Sequence, residues 1–395
     1  MNIFNIKINK LPILLGGGLA ITIFQGMTLS DLFFPIIFFL LVYNQREKSE
    51  LSSIQIPVTG IFLFYVYLLY MISLFFSDLF AKVNTSILLK DQLRLASVLF
   101  IAGVVSSRYF RMKDVIKKLL FTYFVFNLIV ILYTGSIPIS SHNFWRHGIG
   151  ESTTLGIASI LPYHKKKTAS LCLFVLAALN IYLDYRGLAL VLFVCIFLLN
   201  FGNFLRLSFL KKVAIVFFLI VIMVGGMVTF LQSQRIYEKR RDQSNAVRAA
   251  MVYVAINDMI EPKIFGNGTQ KFKDSFKIPD IVNAGLLKDI DGNLPLHGYL
   301  FSASYNAGKA GLFFYLMLLS MIVKFIFHKI YYIDLEFEFS SIVILVYFFY
   351  SSFLQAFSGF DRILLGLSIG ILIKASSQRS MRMGELQEEF GRVRF

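Results

Sequence analysis

Apolar residues run along this 395-residue chain in blocks separated by short charged stretches. Each block holds roughly 15–20 residues, about enough for a helix to cross the ~30 Å hydrocarbon core of a bilayer. The blocks predict about twelve helices, with cores at 11–26, 29–43, 58–77, 92–106, 115–133, 151–163, 169–184, 187–201, 213–231, 303–327, 338–357 and 363–375. The runs are continuous. A membrane β-barrel would show polar and apolar residues alternating along short strands, so that architecture is excluded. The expected fold class is an all-α polytopic membrane protein.

The basic residues then orient the spans. Arg46 and Lys48, Arg108, Arg111 and Lys113, Lys165, Lys166 and Lys167, Arg206, Lys211 and Lys212, and Lys324 and Lys329 occupy alternate loops. The last stretch adds Arg379, Arg382, Arg392 and Arg394. All fall on one side if both termini are cytoplasmic, as the positive-inside rule requires. The opposite face receives 78–91, 134–150, a tight turn at 184–187, a long segment at 232–302 and a turn at 358–362. The chain thus divides into helices one to nine (1–231), the long outer loop (232–302), helices ten to twelve (303–375) and a polar cytoplasmic tail (376–395).

The long loop is not low in complexity. "SNAVRAAMVYVAINDMIEP" places Val247, Met251 and Val254 on one helical face and stops at Pro262, which predicts a helix lying on the membrane surface. "FGNGT" follows as a turn.

Composition reinforces this reading. Apolar residues make up 57% of the chain, against about 45–50% in soluble domains. The net charge of +16 sits in the loops, which argues for membrane orientation and against nucleic acid as a partner. Cys172 and Cys195 lie inside apolar runs, with no disulfide framework or zinc spacing around them. Leu11–Phe24 has no small-residue cleavage site after it and reads as a retained first helix.

Several residues could carry chemistry. Arg186 lies in "LDYRGLALVLFV" at the tight outer turn, where it fits either a phosphate grip or a headgroup-facing arginine paired with Asp184. Arg248 on the loop helix, with Arg241 seven residues earlier, fits a diphosphate clamp or a face attracted to anionic lipid. His297, in "PLHGYLFSASYNAGKAGLFFYL", fits a general base or a polar boundary residue. "SHNFWRHGIG" brings Trp145 and Arg146 into an outer loop suited to sugar, and Arg362 marks the last outer turn. No cluster of acids and histidines has metal-ligand spacing, and no cofactor fingerprint is present. The spans look nearly free of charge, with Asp31 near the start of helix two an exception.

Taken in order, Tyr185-Arg186-Gly187, Arg248 leading to "EPKIFGNG", and His297 followed by Gly308 and Gly311 resemble the O-antigen polymerase and ligase superfamily, the Wzy and WaaL proteins. The resemblance covers roughly residues 130–375. Four positions depart from the family pattern. Tyr185 replaces a serine, Gly298 an asparagine, and Val252 an aromatic residue; Ser304 stands where many enteric ligases have glycine.

The resemblance implies a GT-C-like glycosyltransferase of the bacterial inner membrane with its long loop in the periplasm. It implies an undecaprenyl-diphosphate-linked oligosaccharide as donor, membrane lipids and a chain-length regulator protein as partners, and no cofactor or metal. Arg186 and Arg248 would stabilise the departing diphosphate and His297 would take the acceptor proton. Arg241, Arg146, Trp145 and Arg362 would bind diphosphate or sugar. Ser304 favours a polymerase of O-antigen repeats over a ligase that transfers polymer to lipid A–core. The alternative from another class is a polysaccharide or solute transporter, which would place charge near mid-membrane.

Overall fold

The computed structural model describes Ile13, Gly17, residues 22–24, 27–28, 58–106, 112–135, 144–183, 185–201, 260, 264–269, 298–329, 335–354 and 359–392. The expected helices at 29–43 and 213–231 lie outside these residues, as do most of the 232–302 loop, Arg241, Arg248 and His297.

Ten α-helices appear among the described residues: α1 (Val58–Phe80), α2 (Thr85–Ser106), α3 (Met112–Thr134), α4 (Gly150–Ile160), α5 (Lys166–Tyr182), α6 (Arg186–Phe201), α7 (Tyr299–Ala307), α8 (Lys309–Lys329), α9 (Leu335–Leu354) and α10 (Gly359–Arg392). Three stretches are long and apolar enough to cross a membrane: Gly60–Phe80, Asp114–Thr134 and Lys309–Ile326. Arg186–Asn200 and Phe339–Phe353 are shorter apolar helices.

The faces of α1 show what kind of surroundings it suits. Leu63, Tyr67, Tyr70 and Leu74 are buried, while Phe62, Tyr65, Leu69, Ile72 and Phe76 on the opposite side are exposed. Both sides are apolar. A helix against water would be polar on its outer side, so this pattern is that of a helix between protein and lipid. α9 and the first part of α10 lie innermost. Every residue from 339 to 348 and from 360 to 372 is buried, and α9 meets α4, α6, α7, α8 and α10.

Two other seams differ in kind. α1 joins α8 through aromatic rings: Tyr70 stacks on Phe314 at 5.3 Å, and Tyr67 meets the same ring edge-on at 5.0 Å. α2 joins α10 through glycines, because Gly366 and Gly370 let Ile101 and Val105 approach the α10 backbone.

The expected elements differ from the observed ones in five places. Within the helix expected at 11–26, Thr22–Phe24 pairs antiparallel with Met27–Thr28. Thr22 and Ile23 are β-branched and Gly26 lies between the paired segments, a combination that favours a hairpin over a helix. The outer loop expected at 78–91 shrinks to 81–84, because Asp78 and Asp91 sit on helices. The helix expected at 151–163 stops at Ile160, since Leu161 precedes Pro162 and is extended at φ −61°, ψ 148°. The helix expected at 303–327 breaks at Gly308, whose φ is +69°. Finally, α10 continues to Arg392, through most of the stretch expected as a polar tail.

Candidate functional site

Arg186 is the first residue of α6 and is half-buried. The residues on either side of it are fixed. Tyr185 donates its backbone N–H to Asn180 O at 2.7 Å, and its phenol donates to Glu151 Oε1. Gly187 lies against the ring of Tyr350 on α9, where a Cβ would meet Tyr350 Cζ at 2.6 Å.

Gly298, next to His297 in the chain, is seated close by. Its φ is +87°, and a Cβ there would lie 2.8 Å from the carbonyl oxygen of Phe353. Tyr350 and Phe353 are one turn apart on α9. The Arg186 turn and the stretch that carries His297 therefore meet the same last turn of one buried helix.

Below them lies a polar cluster. Tyr347 donates to Glu151 Oε1 at 2.6 Å, and the hydroxyls of Tyr185 and Tyr347 are 3.0 Å apart. Tyr299, the first residue of α7, bonds Asp361 in the first turn of α10, and Ser351 also bonds that phenol. Tyr123 is within electrostatic reach of Glu151, Asp361 and Arg362 together. The first turns of α6, α7 and α10 thus share one end of the bundle, where helix dipoles favour negative charge.

The "FGNG" segment docks onto the helix break at the other end of α7. Asn267 N–H bonds Tyr305 O at 2.8 Å and Gly268 N–H bonds Asn306 O at 3.0 Å. Gly266 N–H bonds Ser77 Oγ at 2.8 Å. Asp78 Oδ1 accepts from the backbone N–H of Thr269 at 2.6 Å and from its hydroxyl at 2.9 Å. Among the described residues, Asp78 Oδ2 has no hydrogen-bond partner. A Cβ on Gly308 would lie 2.7 Å from Phe265 C and 2.8 Å from Gly266 N, so the two glycine-bearing stretches meet backbone to backbone.

The other candidates divide. Trp145 lies in a π-helix, Phe144–Ile149, and its indole N–H donates to Asn180 Oδ1 at 3.0 Å. Asn180 in turn donates to Thr154 Oγ1 at 3.1 Å. Trp145 is therefore tied to the α5 end that leads into the Arg186 turn. Arg146 belongs to the same π-helix, and its side chain lies outside the described residues. Arg362 is 3% exposed, beneath the surface of the cluster. Residues of this end that were not singled out are Glu151, Asp361, Tyr299, Tyr347 and Asp78. Acids bordering or interrupting apolar runs are the signal that points to three of them. The spans are also less free of charge than expected, since Asp78, Asp361, Arg362 and Lys374 are all buried on helices.

Among the described residues, no group of three or more His, Cys, Asp or Glu side chains could hold a metal ion. No protein-family profile, curated protein or solved structure matches this chain.

Proposed function

We propose that the protein is an envelope glycosyltransferase that polymerises undecaprenyl-diphosphate-linked oligosaccharide repeats into a surface polysaccharide such as O-antigen, at the periplasmic face of the inner membrane. The observation that supports this reading is the convergence of Gly187 and Gly298, the chain neighbours of Arg186 and His297, on the last turn of α9, at Tyr350 and Phe353. A cation at a helix N-terminus suits a diphosphate, and a histidine suits a hydroxyl acceptor.

In this mechanism an acceptor sugar hydroxyl attacks the anomeric carbon of the donor. The bond from that carbon to the diphosphate oxygen breaks as the new glycosidic bond forms on the opposite face, so the configuration inverts. The hydroxyl proton passes to His297. Arg186 and Arg248 hold the charge that builds on the departing polyprenyl diphosphate, which needs no metal for that purpose. Arg241, Arg146 and Trp145 guide the sugar or the diphosphate. Arg362 supports from below the surface, and a chain-length regulator protein would bind outside the site.

The test is the surface-glycan profile of a strain lacking the gene, resolved together with its lipid-linked intermediates. Loss of the long ladder with single repeats still reaching lipid A–core is the expected result. Long polymer accumulating on undecaprenyl diphosphate, with bare lipid A–core, would assign a ligase. An unchanged glycan profile would overturn the glycosyltransferase reading, and uptake of a labelled solute that survives His297→Ala would assign a transporter.

A further inference from the structure

We propose that Glu151 is the positioning residue for Arg186, acting through the phenol of Tyr185. This inference rests on the reading of Arg186 as a diphosphate ligand. Arg186 is held by its neighbours in the chain. Behind it, Tyr185 is 8% exposed and fixed at both ends, by its backbone N–H to Asn180 and by its phenol to Glu151 Oε1. Ahead of it, Gly187 backs onto Tyr350, whose ring stacks on Tyr347 at 6.4 Å. Tyr347 donates to the same Glu151 oxygen at 2.6 Å. One carboxylate oxygen is therefore the meeting point of α4, the turn before α6, and α9.

Two phenols donating to one carboxylate form charge-assisted bonds, stronger and more directional than bonds between neutral groups. In a buried setting such bonds fix geometry. Serine at position 185 would be too short to reach from the turn to Glu151 as the phenol does. The departure of Tyr185 from the family pattern and the presence of an acid at position 151 thus have one explanation. The backbone on each side of Arg186 is locked, and its half-exposed side chain is presented from a fixed point. Glu151 touches no reacting group in this scheme. Its effect should pass entirely through Arg186.

The test uses the full chain in lipid nanodiscs, with farnesyl diphosphate as the probe and equilibrium binding as the readout. Arg186→Ala should weaken binding. Tyr185→Phe, which removes the phenol's bonds to Glu151 and Tyr347 and keeps the ring, and Glu151→Leu should each weaken it about tenfold. Glu151→Gln keeps an acceptor for both phenols and should weaken it less. The double variant Arg186→Ala/Glu151→Leu should bind no more weakly than Arg186→Ala alone, because a positioning residue has nothing left to position. A merely structural Glu151 would instead give losses that multiply.

Wild-type binding by Tyr185→Phe, or multiplied losses in the double variant, would overturn the inference while leaving the diphosphate reading intact. Should Glu151→Leu fail to fold, Tyr185→Phe and its double with Arg186→Ala decide the matter in the same way. No binding by the wild type, or equal binding by Arg186→Ala, would overturn the diphosphate reading itself and this inference with it.

Discussion

Two sets of glycines bring chain segments together in this protein, and they differ in what they face. On α10, Gly366 and Gly370 face side chains first. A Cβ on Gly366 would lie 2.7 Å from Ile101 Cβ, and one on Gly370 2.6 Å from Val105 Cβ, with the carbonyl oxygens of Val98 and Ala102 at 3.0 and 2.9 Å. At the C-terminal end of α7, Gly266 and Gly308 face backbone. A Cβ on Gly266 would lie 2.5 Å from Gly308 N, and one on Gly308 2.8 Å from Gly266 N. The α2–α10 seam joins two regular helices, which can part slightly and keep their own backbone hydrogen bonds. The loop contact joins a helix break to an irregular segment held by hydrogen bonds, and neither partner can move without losing them. The first is scaffold. The second sets where a loop sits relative to the candidate site.

The largest effect should come from Gly308→Ala. The left-handed φ of +69° costs a non-glycine residue about 1–2 kcal/mol, and displacing the loop backbone adds about 1–3 kcal/mol. Thermal unfolding in detergent should show the loss, and glycan synthesis should fall with it; a variant as stable as wild type would mean that the loop contact is as yielding as the α10 seam.

Gly366→Ala should cost less, about 1–2 kcal/mol, because α2 and α10 can part slightly while each keeps its own backbone hydrogen bonds. It should leave polymer length unchanged at permissive temperature. Shortened polymer from this variant would join the seam to the site and erase the contrast.

Asp78 sharpens the comparison from the loop side. Both bonds from Thr269 end on Oδ1, so Asp78→Asn keeps its acceptor and removes a buried charge. Asp78→Asn should match wild-type stability within about 0.5 kcal/mol, whereas Asp78→Leu should lose about 1–2 kcal/mol. Equal losses would show that the negative charge, and not the acceptor, holds the loop.

The smallest change expected is Gly156→Ala on α4. The nearest atom to its Cβ would be Leu120 Cβ at 3.9 Å. With that space, alanine should stabilise the helix by about 0.5 kcal/mol. A clear loss in the unfolding midpoint would mean that α4 tolerates less than its spacing indicates.

Hydropathy made the long spans legible. The runs around 58–77 and 115–133 are the membrane-length helices α1 and α3, because length and apolarity alone decide such elements. The Arg186–Gly187 junction was legible too, as a charged break between two apolar runs. The break at Gly308 was not, since a glycine inside an apolar run leaves the hydropathy pattern unchanged and its meaning depends on a distant backbone. The strand pair at Thr22–Thr28 was hidden because a short apolar run has no period that separates helix from strand. Asp78 and Asp91 were misplaced for the reverse reason, as charge near a helix end looks like loop. Tyr185, Tyr299 and Tyr347 pass as apolar along the chain, and their hydroxyls gain meaning only when folding brings Glu151 and Asp361 to them.

The brevity of α4 has a mechanical consequence for the membrane. Its 11 residues rise ~16 Å, about half of a ~30 Å hydrocarbon core. Its first turn carries Glu151, and its other end opens onto His164, Lys165, Lys166 and Lys167, all exposed. A helix of that length cannot set Glu151 and the lysines at opposite edges of a bilayer core unless the lipid thins or the lysines stretch along the acyl chains. Either response would store elastic energy in the bilayer. Acyl-chain length would then act as a dial on the depth of Glu151, with shorter lipids relieving the strain and longer ones raising it.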